Sequence, residues 1–283
     1  MAFQYYDLRE ATQSQDICLL FPGWEKSKER VAIFSPHDDD AVLGTGYLIQ
    51  AVAESGGEPF VFIFCNGNGG YSIPEDKGTI VEKRAAETKA AYLELGLGKD
   101  NVVRFDYPDY SVLANMGWML PGGLEGTYTK SLKHLRNYGI TRLVIPNRYR
   151  EHFDHESVGR IGAFDGPQAG DPVLVDWGRP TRIRSFLEYA VWGDFSPEDA
   201  LIAGTDLSIR ANRALKAPRA AEEKVIAAIA RFKSQQKIIE KLIDARAERR
   251  CADGYIELYV DFDPRPALSY KPYLDLISSI DAK

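Results

Sequence analysis

Short apolar runs alternate with segments of helical periodicity, and this alternation limits the folds open to the chain most strongly. The apolar runs predict buried strands at 31–35, 60–64, 101–105 and 142–145, with a candidate fifth strand at 184–191. Helical spacing occupies the intervening segments 41–54, 80–95 and 128–138. Near-continuous apolar strands joined through helices predict the α/β class, with a Rossmann-like, mostly parallel sheet and helices on both faces.

The pattern loosens after about residue 160, and the later segments predict a C-terminal α/β extension. A long helix is expected over roughly 220–247, because its apolar residues recur at helical spacing. Residues 255–262 alternate like a strand at a sheet edge or in a hairpin. We expect one domain over 1–283, with a core at about 29–200 and the segment 218–265 packed on it. The long helix either covers this core or lies in a homo-oligomer contact.

The composition is that of a globular protein, with 45% hydrophobic and 27% charged residues. The formal net charge of −6 argues against nucleic acid as a partner. Three separated cysteines form no CxxC pair, which favours a reducing compartment. We expect a cytoplasmic protein, because the N-terminal residues do not resemble a secretory signal. A membrane span is not expected either, since no apolar run approaches the ~20 residues that one requires.

Three of the four histidines fall in two short acidic clusters that follow apolar runs. The first is His-Asp-Asp-Asp at 37–40, and the second is His-Phe-Asp-His at 152–155. Ligand sites of open parallel sheets lie outside the carboxyl ends of the strands, so His37, Asp40 and His155 can meet there. Two imidazoles and one carboxylate are a suitable ligand set for catalytic zinc, with a position left for water. The clusters therefore predict a metal-dependent hydrolase.

Helix capping is the alternative explanation for the three consecutive aspartates. A carboxylate at a helix N-terminus contributes roughly 0.5–2 kcal/mol, and one aspartate suffices for that. Three aspartates beside a histidine exceed what capping needs. For the second cluster, the alternative is a solvated loop with one structured histidine. The remaining histidine, His134, is expected at the surface of helix 128–138.

The two motifs resemble those of the PIG-L/LmbE family of zinc-dependent N-acetylglucosaminyl deacetylases. The family signature is a strand followed by His-Pro-Asp-Asp-Glu and later by His-x-x-His or His-x-Asp-His. This chain has His-Asp-Asp-Asp-Ala at 37–41 and His-Phe-Asp-His at 152–155. It also has Arg-Ala-Ala-Glu at 84–87 before Leu-Gly, and Ser-Gln at 234–235, as the family often does. The resemblance spans about residues 29–240.

The resemblance implies one catalytic Zn²⁺, with another divalent cation as the alternative. Its ligands are expected to be His37, Asp40 and His155. Asp39 corresponds to the general base that activates water. His152 matches the histidine that stabilises the oxyanion or protonates the leaving amine.

The resemblance also implies supporting residues, and the chain departs from the family at two positions. Asp154 corresponds to the carboxylate that orients the catalytic histidine, and Arg84 to a substrate-binding position. Asp38 replaces the usual proline and Ala41 the usual glutamate. Neither change removes a ligand or the base. We expect Asp38 to cap the following helix or to contact substrate.

The expected partner is a small-molecule N-acetylated sugar or glycoconjugate. The family often has a tyrosine just before the second motif that polarises the amide carbonyl, and Tyr149, Arg150 or neither takes that role here. Other functions are compatible with the sequence, namely hydrolysis of another amide or ester, or sugar binding without catalysis. A nucleotide-binding oxidoreductase is disfavoured, because Ile49 stands where the GxGxxG fingerprint needs its third glycine.

Overall fold

The computed structural model describes residues 2–203 and 206–282. The strands are β1 (Gln4–Asp7), β2 (Thr12–Ser14), β3 (Arg30–Ser35), β4 (Glu58–Cys65), β5 (Val102–Tyr107), β6 (Arg142–Pro146), β7 (Ser185–Tyr189), β8 (Arg213–Ala217), β9 (Arg250–Cys251) and β10 (Gly254–Asp261). The helices are α1 (Asp40–Glu54), α2 (Ile80–Glu94), α3 (Thr127–Asn137), α4 (Phe153–Gln168), α5 (Asp199–Ala203), α6 (Arg219–Ile229), α7 (Gln236–Ala245) and α8 (Lys271–Asp281). Within the described ranges, no helix is long and apolar enough to cross a membrane.

The strands form one sheet in the order β2-β1-β8-β10-β7-β6-β3-β4-β5, with β9 paired to β10. The five strands from β7 to β5 are parallel to one another, whereas β10, β8, β1 and β2 add antiparallel pairings. The predicted α/β class with a mostly parallel central sheet is therefore confirmed. The antiparallel strands come from the two ends of the chain, where the sequence pattern is weakest.

Helices cover both faces of the parallel strands, as predicted. Along β3, Val31 and Ile33 contribute to a core on the α1 and α6 side, whereas Ala32 and Phe34 contribute to a core on the α4 side. Residues 31–35 of β3 are all buried on one face or the other, which explains the near-continuous apolar run. His134 belongs to the second face: its ring lies 5.0 Å from the Phe105 ring, so the prediction of a surface position is wrong.

The predicted long helix at 220–247 is wrong, because it is two helices with a short 3-10 turn between them. Residues 233–235 form this turn, and Phe232 before it leaves the helical conformation (φ −80°, ψ 62°). The interruption has a tertiary cause: Ser234 donates its backbone N–H and its hydroxyl to the Glu87 carboxylate, at 2.8 and 2.7 Å. The apolar stripe survives because both helices pack on the same core.

The prediction that residues 255–262 lie at a sheet edge or in a hairpin holds only in part. β10 does pair with the short β9, but it also lies between β7 and β8 inside the sheet. Alternation in β10 arises because Glu257 and Tyr259 are buried on the α1 side, where Glu257 accepts the backbone N–H of Tyr47, whereas Ile256 and Leu258 are more exposed. The alternating pattern identified a strand but could not identify its neighbours.

Close approach of α4 to β6 places the second histidine cluster beside the first. A Cβ atom on Gly159 would lie 2.6 Å from the Pro146 carbonyl oxygen, and one on Gly162 would collide with the Ile145 side chain. Only glycine permits this separation of helix and strand. The N-terminus of α4 is thereby held over the carboxyl ends of β3 and β6.

Asp165 on α4 is an isolated buried carboxyl group that predicts pH-dependent stability. It is 9% exposed, and burial raises its pKa from 3.8 to about 7. The folded protein therefore binds this proton more tightly than the unfolded chain does, so stability falls as pH rises from about 4 to about 7. Asp165→Asn removes this titration. The change that it causes in the free energy of unfolding should therefore be more stabilising at pH 8 than at pH 4, by on the order of 1–3 kcal/mol.

Urea unfolding of the wild type and of Asp165→Asn at both pH values would measure this difference. Asp244→Asn, which removes the same charge from an exposed position, is the matched control. Identical pH profiles for the wild type and Asp165→Asn would show that burial does not raise the pKa of this carboxyl group.

Candidate metal centre

The two histidine clusters meet at the carboxyl ends of β3 and β6. His37 lies in the turn between β3 and α1, and His152 and His155 lie at the N-terminus of α4. The His37 ring is 4.7 Å from the His152 ring and 5.5 Å from the His155 ring. One nitrogen from each of the three imidazoles lies within 4.8 Å of the others. Topology thus assembles groups that are more than one hundred residues apart in the chain.

Asp40 is the carboxylate on which two of these imidazoles converge. Its Oδ2 lies 3.1 Å from His37 Nδ1 and 3.1 Å from His155 Nε2. The same oxygen accepts the backbone N–H of His37 at 2.7 Å. Asp40 is 1% exposed, so this contact is shielded from water. The three residues predicted as metal ligands are therefore in mutual contact.

The free nitrogen of His155 fits a metal ligand. His155 Nδ1 lies 2.9 Å from Glu151 Oε2, an arrangement that places the ring proton on Nδ1. His155 Nε2 is buried and makes no hydrogen bond of acceptable geometry, although Asp40 Oδ2 is near. A buried polar atom without a partner is uncommon in proteins. A lone pair held in this way beside a carboxylate and a second imidazole suits a metal cation.

The electrostatics of the cluster also favour positive charge between these three residues. Burial raises the pKa of the Asp40 carboxyl, but His155 and His37 outweigh burial and hold that pKa well below its usual range. Burial lowers the pKa of His155, but Asp40 outweighs it, and the pKa rises to about 9. A cation at this position is therefore stabilised by Asp40.

Asp154 contacts His37 rather than the histidine for which it was predicted. Its Oδ2 lies 3.3 Å from His37 Nε2 and accepts the backbone N–H of Tyr110 at 2.6 Å. The distance from this oxygen to His152 Nδ1 is 3.9 Å, which is too long for a hydrogen bond. His152 Nδ1 instead accepts the backbone N–H of Asp154 at 3.1 Å, as the N-cap of α4.

Arg84 lies behind the site and fixes Asp39. Its Nη2 donates to Asp39 Oδ1 at 3.1 Å, and its guanidinium lies 5.3 Å from the centre of the Phe232 ring. Arg84 is 3% exposed, and its Nη1 is buried without a hydrogen-bond partner. The two neighbouring aspartates therefore have different partners: Asp40 contacts His37 and His155, whereas Asp39 contacts Arg84.

Asp38, the residue that replaces the family proline, forms a buried ion pair and does not cap the helix. It is fully buried and accepts hydrogen bonds from Arg84 Nε at 3.2 Å, from Thr88 Oγ1 at 2.7 Å and from Arg104 Nη1. Helix α1 begins without a carboxylate cap, since the Asp39 side chain at the N-cap makes no capping hydrogen bond. The expectation that Asp38 caps the helix or contacts substrate is therefore wrong.

Glu151 is the functional residue that sequence reasoning missed. Its Oε1 accepts the backbone N–H groups of Val191, Trp192 and Gly193 at 2.7, 2.8 and 2.7 Å, while Oε2 contacts His155. The only sequence signal was a glutamate four residues before a candidate ligand. The three backbone donors belong to the segment that follows β7, and no local pattern in the sequence pairs that segment with Glu151.

A glycine loop at 66–70 lines the same edge of the sheet. Asp109 accepts the backbone N–H groups of Gly67 and Gly69, at 2.8 and 2.9 Å. The Gln235 side chain donates to the Gly70 carbonyl, so this glutamine supports the loop.

The two residues considered for polarising the amide carbonyl are close to each other. The Arg150 guanidinium lies 5.4 Å from the centre of the Tyr149 ring.

Residues 32–163 match the model of the PIG-L family, described as GlcNAc-PI de-N-acetylase. This segment runs from β3 into α4 and contains both histidine clusters. The match therefore confirms the resemblance to this family over the segment that holds both histidine motifs. No curated protein matches the chain in sequence.

Solved structures share the fold over most of the chain. A conserved protein from Thermus thermophilus is 22% identical, with a TM-score of 0.59, covering 84% of this chain and 96% of its own. The N,N'-diacetylchitobiose deacetylase from Pyrococcus horikoshii is 17% identical, with a TM-score of 0.62, covering 83% and 84%. A 4-carboxy-2-hydroxymuconate hydratase from Pseudomonas putida is 16% identical, with a TM-score of 0.59, covering 85% and 99%. One fold thus carries more than one reaction.

Loss of the Glu151 carboxylate should disturb both the metal site and the fold. Glu151→Ala leaves three backbone N–H groups and the His155 Nδ1–H without their acceptor, so we expect destabilisation of at least about 2 kcal/mol. Zinc affinity should fall about 10–100-fold, because His155 loses its orienting partner. Urea unfolding and competitive zinc titration would measure the two effects. Glu156→Ala, which removes a glutamate of α4 whose side chain is 42% exposed, is the control, and equal effects of the two variants would contradict this role.

Removal of Asp38 should destabilise the protein strongly. Asp38→Ala leaves Arg84 and Arg104 without their shared carboxylate, which costs about 3–5 kcal/mol for a buried pair. Denaturant unfolding would measure this loss, and adding Arg104→Met should restore part of it. Asp106 also contacts Arg104, but its side chain is 62% exposed and its φ is 60°. Asp106→Asn removes the charge, tolerates this backbone conformation and should have little effect. A neutral Asp38→Ala would contradict the assignment.

Proposed function

We propose that this chain, whose residues 32–163 match the PIG-L family model, is a metal-dependent hydrolase that deacetylates an N-acetylglucosamine-type sugar. The observation that carries the proposal is the contact of Asp40 Oδ2 with His37 and His155, whose Nε2 has no hydrogen bond. Asp39 lies next to this group in the chain and can serve as a base. The substrate would be a small-molecule N-acetylated sugar or glycoconjugate.

His37, Asp40 and His155 would hold the metal ion, for which zinc is the first candidate. When bound, zinc supplies Lewis acidity that polarises a carbonyl group and lowers the pKa of water. A second group of potential ligands is His37, Cys65 and Asp154. Burial raises the pKa of the Cys65 thiol to about 12, which disfavours the thiolate that a metal requires. The carboxylate of Asp40, ionised beside two imidazoles, is the better ligand.

Asp39 would remove a proton from the attacking water. Arg84 Nη2 donates to Asp39 Oδ1, which fixes the carboxylate plane and leaves Oδ2 available to accept that proton. The Asp39 side chain is 17% exposed, whereas that of Arg84 is 3% exposed, so water can reach the base but not the arginine. Arg84 is therefore proposed here as a residue that positions the base. The Arg84 Nε and Nη2 atoms already donate to Asp38 and Asp39, so only Nη1, which is buried without a partner, would be left to contact substrate.

His152 would stabilise the oxyanion by donating a hydrogen bond from Nε2. Because Nδ1 accepts the Asp154 backbone N–H, the ring proton of the neutral form lies on Nε2. Burial lowers the pKa of His152, and nearby His37 and His155 lower it further. The neutral ring with a donor at Nε2 is thus favoured. The proton that Asp39 takes from water would then pass from Asp39 to the leaving amine as the carbon–nitrogen bond breaks.

Amine release from N-acetylated sugars tests the proposed function directly. Purified protein should release free amine from N-acetylglucosamine or its glycosides, a chelator should abolish release, and added Zn²⁺ should restore it. The reason is that the ligand set is complete but supplies no Lewis acid of its own. Metal-loaded protein that is inactive on all N-acetyl sugars would overturn the deacetylase proposal and favour another substrate class.

Replacement of the proposed base should separate catalysis from metal binding. Asp39→Asn should lower kcat by about 10²–10⁴-fold, the usual contribution of a general base, while zinc content stays at the wild-type level. Asp100→Asn, an exposed substitution of the same kind, should leave both unchanged. Full turnover by zinc-loaded Asp39→Asn would show that another group accepts the proton.

A further inference from the structure

Tyr110 has a backbone conformation that its side chain disfavours. It lies in a tight turn after β5, in which the Ser111 backbone N–H donates to the Pro108 carbonyl at 3.2 Å. Its φ is 60°, in the left-handed region, and the third position of a turn with this φ usually holds glycine or asparagine. A strained residue next to a candidate active site suggests a function for its side chain.

Hydrogen bonds to the backbone hold this turn in place without the Tyr110 ring. The Asp154 carboxylate accepts the backbone N–H groups of Tyr110 and Val112, at 2.6 and 3.3 Å. The Asn68 side chain accepts the backbone N–H of Asp109 at 2.8 Å. Glycine at position 110 would make the same bonds without strain. Tyr110 is 66% exposed, so burial of its ring does not explain the tyrosine.

The Tyr110 ring lies at the open side of the candidate metal centre. It is 4.9 Å from the His152 ring, and a Cβ atom on Gly69 would lie 3.2 Å from its Cε2. The ring therefore neighbours both the glycine loop and the histidine proposed to bind the oxyanion. Among the three clustered histidines, His152 has the most exposed side chain, at 20%, against 15% for His37 and 0% for His155. A substrate that reaches His152 from solvent therefore arrives beside Tyr110.

The chemistry of an N-acetylated sugar places its ring close to the same histidine. The amide nitrogen alone separates the carbonyl carbon from the sugar ring, so a carbonyl oxygen bound to His152 brings that ring near Tyr110. The face of an aromatic ring carries partial negative charge and attracts the weakly positive hydrogens of C–H groups. One face of a glucopyranose ring presents axial C–H groups, while its hydroxyl groups point outward. This face can pack on an exposed phenol ring.

We propose that Tyr110 is a specificity-determining residue that stacks on the apolar face of the pyranose ring whose acetamide reaches His152. This inference rests on the proposed deacetylase function and adds that the acetamide must be carried by a closed pyranose ring. Acetamides on an open chain lack the face on which the phenol ring packs. The left-handed backbone at Tyr110 directs the ring to this position.

Two acetamides test the inference, methyl N-acetyl-β-glucosaminide and N-acetylglucosaminitol, which carries the same acetamide on an open chain. Metal-loaded wild-type protein should have the higher kcat/KM for the glycoside. Tyr110→Ala should lower the ratio of the two kcat/KM values by about 3–10-fold, the usual strength of a contact with an aromatic face. Tyr110→Phe keeps the ring and should keep the ratio. Tyr273→Ala, which removes an exposed tyrosine of α8, is the control and should leave both values unchanged.

A glycine variant separates specificity from stability. Tyr110→Gly should lower the ratio as Tyr110→Ala does, but it should unfold at a higher urea concentration than Tyr110→Ala, because glycine adopts the left-handed backbone without strain. If both variants unfolded at much lower urea concentration than the wild type, the tyrosine would belong to the fold and the inference would be overturned. An unchanged ratio in Tyr110→Ala, or a lost ratio in Tyr110→Phe, would overturn it as well.

Saturation-transfer NMR tests the stacking apart from catalysis. The probe is methyl β-glucosaminide, which has the same ring without an acetyl group and cannot be turned over. Saturation should pass most strongly to the axial hydrogens of one ring face with metal-loaded wild-type and Tyr110→Phe protein, and not with Tyr110→Ala protein. Equal transfer in all three proteins would overturn the inference. If neither acetamide is hydrolysed but transfer depends on Tyr110, the deacetylase proposal fails while the stacking site stands.

Discussion

The Glu151 carboxylate is the interaction on which the arrangement of this molecule depends. An ionised group that is fully buried is costly unless donors surround it, and here three backbone N–H groups and one imidazole do so. These donors come from two places, the segment that follows β7 and the start of α4. Glu151 therefore holds His155 and the backbone of Trp192 in a fixed relation to each other. The orientation of one candidate metal ligand depends on this single carboxylate.

A second buried charge accounts for the position at which the chain departs from the PIG-L/LmbE motif. Asp38 stands where the family has proline, and it is compensated by Arg84 and Arg104. Arg104 lies on β5, two strands away from β3, so the pair joins strands that would otherwise be linked only through β4. Arg84 also contacts Asp39, so the substitution reaches the proposed base through one guanidinium group. The departure from the motif is thus a structural change that preserves the chemistry around it.

Sequence periodicity was reliable where one element is buried on both faces. The segments around β3, β4 and β6 were predicted within a few residues, because nearly all of their apolar side chains enter one of two apolar cores. Periodicity failed between α6 and α7, where Ser234 bonds to Glu87 on a different helix. It also failed for the neighbours of β10, whose pairing with β8 depends on a strand that the sequence did not indicate. Long-range hydrogen bonds decided both cases, and no local pattern records them.

The sequence by itself determined the α/β class and the residue types of the site, because strand burial and histidine–aspartate motifs leave local patterns. It also indicated that the two clusters would follow strands and so meet at one edge of a parallel sheet. Only the tertiary structure decided which carboxylate contacts which imidazole. Asp154 contacts His37 and not His152, and Glu151 holds His155, because α4 approaches β6 closely enough to rotate both groups into place. Distances of a few ångströms between side chains depend on packing, which a linear sequence does not specify.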